Sequence, residues 1–95
     1  MSRPARIVPA PHAAFRKLGG GAGGVVLHLR TTAYFQLNDV GAAVWRILED
    51  GATAEEVVHR LRESLGGAPP GLESDVARFL DELVARDLVA LERVS

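Results

Sequence analysis

Few side chains in this sequence could do bond-making chemistry, and none sits at a spacing that would let it. His12, His28 and His59 are the three imidazoles. They share no metal-ligand spacing with one another or with a carboxylate, and each reads as a surface histidine. Ser2, Ser64, Ser74 and Ser95 lack the strand-to-helix elbow that exposes a serine nucleophile. Glu55 and Glu56 are sequence neighbours, as are Asp81 and Glu82, and successive helical residues do not face each other. They read as caps or solvated faces, not acid–base pairs. There is no cysteine, which excludes disulfides, a thiolate metal centre and a thiol nucleophile. The glycine-rich stretch Gly19 to Gly24 lacks the lysine and hydroxyl of a phosphate-binding loop. These residues predict a protein with no enzymatic activity, no metal and no cofactor.

The remaining chemistry belongs to the backbone. Ala33, Phe35 and Leu37 alternate with Tyr34 and Gln36, the period of a strand with one buried face. Asn38 then stops the strand as a helix N-cap. This stretch therefore joins a sheet half of the chain to a helical half. An unpaired outer edge here would be a row of free donors and acceptors, with no proline or charge to blunt it. The register, and hence which residues face that edge, stays open at this level.

Around it the chain divides simply. Ninety-five residues suit one small domain. Residues 1–11 hold Pro4, Pro9 and Pro11 and read as a flexible tail, or a short edge segment at best. A first strand is expected from Ala13 to Leu18, then a glycine hairpin. In the strand from Val25 to Leu29, Val25, Leu27 and Leu29 are expected inward and Val26, His28 and Arg30 outward. Thr31 and Thr32 read as a tight connection. A first helix, 39–50, places Val40, Ala43, Val44, Ile47 and Leu48 on its apolar face with Trp45 at the edge, and Gly51 ends it. Thr53 and Glu56 form a capping box that opens a second helix, ending at about Leu65. A third, 72–86, carries Leu72, Val76, Phe79, Leu80, Leu83 and Val84 as its stripe; Asp87 takes the position after it that favours glycine or asparagine. Residues 88–91 form a final extended segment. The fold class is α+β: a winged helix-turn-helix, with a three-stranded antiparallel sheet followed by three helices.

Charge follows the same division. The first 30 residues carry only Arg3, Arg6, Arg16, Lys17 and Arg30, whereas the remainder carries 6 basic and 12 acidic residues. No apolar run approaches the ~20 residues that span a bilayer, and no signal peptide is visible at the N-terminus. A cysteine-free chain of this kind suits the cytoplasm.

The run TTAYFQLNDVGAAVWRILEDGATAEEVVHRL, followed by DVARFLDELVARDLV, resembles the PqqD-like proteins. These are small winged-helix leader-peptide binders, also called RiPP recognition elements, and the likeness is closest to the stand-alone binders of lasso-peptide pathways. It covers residues 25–89 and makes residues 12–92 a single domain of this kind. Asp87 stands where relatives usually have glycine, and the loop from Gly19 to Gly24 is richer in glycine than theirs. The resemblance implies that the leader of a ribosomally made precursor adds a strand to the third strand of the sheet. It would lie in a groove beside the third helix and be presented to processing enzymes, a leader peptidase and an ATP-dependent cyclase. On this reading Ala33, Tyr34, Phe35, Gln36 and Leu37 meet the peptide from the strand, and Asp75, Arg78, Phe79, Glu82 and Leu83 from the helix. Phe79, Leu83 and the aliphatic stem of Arg78 are candidate anchors, although helix-stripe residues such as Phe79 and Leu83 are equally suited to the core.

The rival is a DNA-binding winged-helix regulator. Its third helix would enter the major groove and be basic. Here Glu73, Asp75, Asp81, Glu82 and Asp87 outnumber Arg78 and Arg86. Phosphate contact dominates affinity for DNA, so the expected partner is a peptide, with no nucleic acid and no membrane.

Overall fold

The computed structural model describes residues 5–17, 23–67 and 69–93. Eight elements follow in order: β1 (Ala5–Pro9), β2 (Ala13–Lys17), β3 (Gly24–His28), β4 (Tyr34–Leu37), α1 (Asp39–Glu49), α2 (Ala54–Leu65), α3 (Leu72–Ala85) and β5 (Val89–Arg93). Strands β2, β3 and β4 form a three-stranded antiparallel sheet in that order, and three helices follow, giving a winged-helix-like α+β fold. Leu18 and most of the glycine-rich stretch lie outside the described residues, as does Ala68.

The N-terminal segment differs from the expectation of a tail. Residues Ala5–Pro9 pair antiparallel with β5, from Ala5 opposite Arg93 to Pro9 opposite Val89. The prolines misled because the side of the strand on which each nitrogen lies was not visible in the sequence. Ala10 N–H donates to the Leu88 carbonyl, whereas Ile7 exchanges bonds of 2.7 and 3.1 Å with Ala52 on the other side. By alternation the nitrogen of Pro9 points away from β5, where no ladder bond needs it. Ile7 is buried in the core and Arg6 Nη2 donates to the carbonyls of Asp50 and Gly51, so the folded unit begins before residue 12.

The alternation of β3 is also the reverse of the expected one. Val26 is fully buried and His28 is 6% exposed, whereas Val25 and Leu27 are half-buried and Leu29 is exposed. The strand ends at His28, and residues 29–32 form a four-residue loop closed by Thr32 N–H to the His28 carbonyl, with Thr32 at φ 63°. Composition marks such a strand but not its phase, since both faces are apolar.

The helix signals hold. Asn38 Oδ1 accepts from Gly41 N–H at 2.8 Å. Thr53 Oγ1 accepts from Glu56 N–H, and Glu56 Oε1 accepts from Thr53 N–H, closing the capping box. Gly51 ends α1 with φ +80°. The apolar face of α1 is rotated from the expected one. Gly41, Ala42, Val44, Trp45 and Leu48 are buried, while Val40 is 42% exposed. Trp45 is 2% exposed, stacked against Phe15 of β2 with ring centroids 6.4 Å apart. Phe15 covers the flank of α1 that the sequence leaves open. Trp45, Leu48, Leu61, Leu83, Val26, Val44 and Val57 are the largest fully buried side chains. Each contributes about 1.5–3 kcal/mol of burial.

Helix α3 ends in a Schellman motif. Leu88 N–H donates to the Leu83 carbonyl and Asp87 N–H to the Val84 carbonyl, both at 3.0 Å. Asp87 takes the left-handed position, φ 60°, where glycine is usual. Leu88 and Leu83 are both buried in the core cluster.

Candidate functional site

Strand β4 lies at the outer edge of its sheet, and no described residue pairs with its free side. The register fixes which groups face outward. Gly24 is opposite Leu37, Val25 opposite Gln36, Val26 opposite Phe35 and Leu27 opposite Tyr34. His28 N–H donates to the Ala33 carbonyl at 2.8 Å, which sets the phase of the ladder. In an antiparallel pair bonded and non-bonded positions alternate. Phe35 and Leu37 therefore turn their backbone groups toward β3, and Tyr34 and Gln36 turn theirs to the free edge. The Tyr34 side chain is 67% exposed and that of Gln36 is exposed too. Ala33 precedes the strand, exposed, and Leu37 is buried, with its backbone groups turned to β3.

Aromatic contact links β4 to α3. The rings of Phe35 and Phe79 stack at 6.1 Å, and the Arg86 guanidinium lies 4.4 Å above the Phe35 ring. Arg86 Nη2 also donates to Glu82 Oε1 at 3.1 Å. Asp75, Phe79, Glu82 and Arg86 recur at helical spacing, so one side of α3 presents them toward β4. Asp75, Arg78 and Glu82 are exposed and Phe79 is half-buried. Leu83 is 0% exposed and belongs to the core, so its side chain meets no peptide. Arg86 is the groove residue that the sequence reading missed. Its signal was the spacing, four residues beyond Glu82 and seven beyond Phe79.

Beside Phe79 a cavity of about 390 Å³ opens between the start of α1, the end of α2 and α3. Val40, Leu65, Leu72 and Asp75 help line it, and Val40 and Leu65 are the exposed apolar members. Gly41 is part of its wall, and a Cβ there would lie 3.3 Å from the Phe79 ring. A second, more polar hollow between α2 and α3 is lined by charges of both signs, including Glu55, Arg60 and Glu73.

The histidines depart from the expectation of scattered surface residues. Residues far apart in sequence meet: His12 and His28 converge on Asp87, with Nε2 to Oδ2 distances of 3.1 and 3.2 Å. His12 Nε2 also reaches the Asp87 carbonyl at 2.7 Å, and the two rings lie 4.4 Å apart. Spacing rules cannot see this cluster because the fold assembles it from the residue before β2, the end of β3 and the turn after α3. Hydrogen bonding from His28, with help from His12, holds the Asp87 carboxyl below its ordinary value. One potential ligand atom from each residue lies within 4.8 Å of the others, the arrangement that could hold a metal ion. His59 stays exposed on α2, paired with Glu63.

Two solved structures resemble the chain. One is TbiB1 in complex with the TbiA(beta) leader peptide: 29% identity, TM-score 0.74, covering 86% of this chain and 93% of that one. The other is lasso peptide synthetase B1 complexed with the leader peptide: 23% identity, TM-score 0.72, covering 88% of this chain and 96% of that one, a likeness of fold. No curated protein sequence matches. The profile of the family described as coenzyme PQQ synthesis protein D (PqqD) matches residues 23–89, most of the chain, from just before β3 to the start of β5. By that span, this chain belongs to the PqqD family.

Proposed function

We infer that this chain binds the leader of a ribosomally made precursor peptide, in lasso-peptide biosynthesis, by adding the leader as a strand to β4. The observation that carries this is the free edge of β4, with the backbone groups of Tyr34 and Gln36 pointing outward beside the Phe35–Phe79 pair. Strand addition takes affinity from such backbone groups and selection from neighbouring side chains. The leader-bound state of similar TbiB1 supports the same use of this fold. Asp75, Arg78, Phe79, Glu82 and Arg86 would read the side chains of the added strand. In this reading the protein is non-catalytic and cytoplasmic, and presents the precursor to a leader peptidase and an ATP-dependent cyclase. Among the described residues no helix is long and apolar enough to cross a membrane. The acidic exposed face of α3 opposes DNA binding, and Arg86, one of its few cations, is already engaged by Glu82 and Phe35.

The test is selection of binders from a library of short random peptides, with the TbiA(beta) leader as a defined probe. Bound peptides are then mapped by amide chemical shifts. The expected result is shifts centred on Tyr34, Gln36 and the Phe79 side of α3. Binding that moved only the α2–α3 hollow, or no binding by any peptide, would overturn the assignment.

A further inference from the structure

We propose that Asp87, gripped by His12 and His28, is a positioning residue for the β4–α3 site, and that the grip is made of protons and not of a metal ion. The inference rests on the peptide-binding reading above and says what keeps its two walls in register.

The proton count comes from the partners of each ring. His28 Nδ1 lies 3.3 Å from Arg30 N–H and 3.2 Å from Thr31 N–H, and both can only donate. Nδ1 therefore presents its lone pair, and the ring proton of the neutral imidazole sits on Nε2. There it is donated to Asp87 Oδ2. His12 Nε2 faces a carbonyl and a carboxylate oxygen of Asp87, both acceptors, so it too carries a proton. His12 Nδ1 is buried without a partner. A metal ion would need lone pairs at both Nε2 atoms. At His28 that would drive the proton onto Nδ1, against two backbone N–H groups.

The location gives the cluster its effect. His28 ends β3, and it shapes the loop into β4 with its N–H, its carbonyl and its Nδ1. Its N–H reaches Ala33, its carbonyl accepts from Thr32, and its ring accepts from Arg30 and Thr31. The His12 carbonyl accepts from Leu29 N–H, tying the start of β2 to the same loop. Asp87 is the first residue beyond Arg86, whose guanidinium covers Phe35 of β4. Along the chain, β4 and the end of α3 are joined only through α1 and α2. The clasp joins the β3–β4 loop, through His28, to the turn after α3, one residue beyond the Arg86 that covers Phe35. It also accounts for aspartate at a left-handed position: glycine would relax the backbone but leave His28 Nε2 without its acceptor and His12 with the main-chain carbonyl alone.

Two variants separate positioning from simple stabilisation. Asp87→Gly keeps the left-handed turn and removes the carboxylate. Asp87→Asn tolerates the turn and keeps one acceptor oxygen. Amide hydrogen exchange is measured on both without any ligand. In Asp87→Gly the amides of Arg30, Thr31 and Ala33 should exchange faster while those of α1 stay protected. Affinity for a peptide selected on the wild-type protein should fall about tenfold in Asp87→Gly and recover most of that in Asp87→Asn. Uniform exchange changes across the fold, or unchanged affinity in Asp87→Gly, would overturn the proposal. Zinc chloride added to the wild-type protein should leave the ring nitrogen signals of His12 and His28 in place, and an equimolar shift of both would replace the proton clasp with a metal site. If the wild-type protein takes no peptide at all, the peptide-binding reading falls, and the exchange experiment alone decides the clasp.

Discussion

Proline at Gln36 should weaken peptide binding and leave the fold standing, whereas proline at Phe35 should damage the fold itself. The register assigns the Gln36 N–H to the free edge and the Phe35 N–H to the ladder opposite Val26. Proline deletes the N–H and sets φ near −65°, a modest change on an edge strand. In Gln36→Pro no bond to β3 is lost. The incoming strand loses one hydrogen bond, worth about 0.5–1.5 kcal/mol, and its carbonyl is left dry at a cost of about 1–3 kcal/mol. Together these losses come to about 1.5–4.5 kcal/mol, and since 1.4 kcal/mol is tenfold, affinity should fall by about 10- to 1,000-fold. Tyr34→Pro should behave alike.

Phe35→Pro instead breaks the β3–β4 ladder and removes a ring that touches Phe79 and Arg86. Phe35→Ala separates these effects, because it removes the ring and keeps the N–H. Circular dichroism reports the fold, and fluorescence anisotropy of a labelled selected peptide reports binding. A folded Gln36→Pro protein with wild-type affinity would refute strand addition at β4. The site would then have to lie at the cavity beside Phe79.

Removing residues 1–11 deletes β1 and the buried Ile7; thermal or urea unfolding should show a loss of about 3 kcal/mol or more, where a tail would show none. Leu83→Ala should destabilise by about 2–5 kcal/mol in urea melts as a fully buried position, and affinity of the folded fraction should be unchanged. The Asp87 carboxyl is held low by His28 in the folded state, so its contribution is present above the unfolded carboxylate value of ~3.9 and is lost as pH falls through the folded value. The gap in melting temperature between wild type and Asp87→Asn should accordingly close on acidification below about pH 4. At ~0.15 M salt, gel-shift assays should show no sequence-specific DNA binding.

Local signals were legible where one residue's own chemistry decides the outcome. The Asn38 cap, the Thr53–Glu56 box and Gly51 each bond within a few residues, so the sequence contains both partners. The alternation of β4 was legible for the same reason: Tyr34 and Gln36 are polar enough to mark its outer face. The phase of β3 was not, because Val25, Val26 and Leu27 are apolar on both faces and the choice between them is made by what packs above. Trp45 shows the same dependence, since Phe15, thirty residues earlier, decides whether its flank is open. The histidine–aspartate clasp spans 75 residues and has no periodicity to betray it. The register of β4 follows from one bond, His28 N–H to the Ala33 carbonyl, and alternation sets the rest.

That register also limits what the edge can do alone. Tyr34 and Gln36 together offer two donors and two acceptors, up to about four hydrogen bonds of about 0.5–1.5 kcal/mol each. Association costs about 4–15 kcal/mol in lost freedom before any ordering of a flexible peptide. The backbone edge therefore cannot hold a peptide by itself, nor can two copies be held stably by pairing their β4 edges alone. A peptide held there must also bury apolar side chains, and the half-buried Phe35–Phe79 pair and the cavity lined by Val40 and Leu65 are the surfaces we propose for them. On the proposed reading recognition would divide by element: β4 would supply a register common to any strand, and α3 the choice of which strand is kept. Substitutions at Phe79 and Arg86 should change which peptides emerge from a selection, whereas those at Tyr34 and Gln36 that spare the backbone should change that choice little.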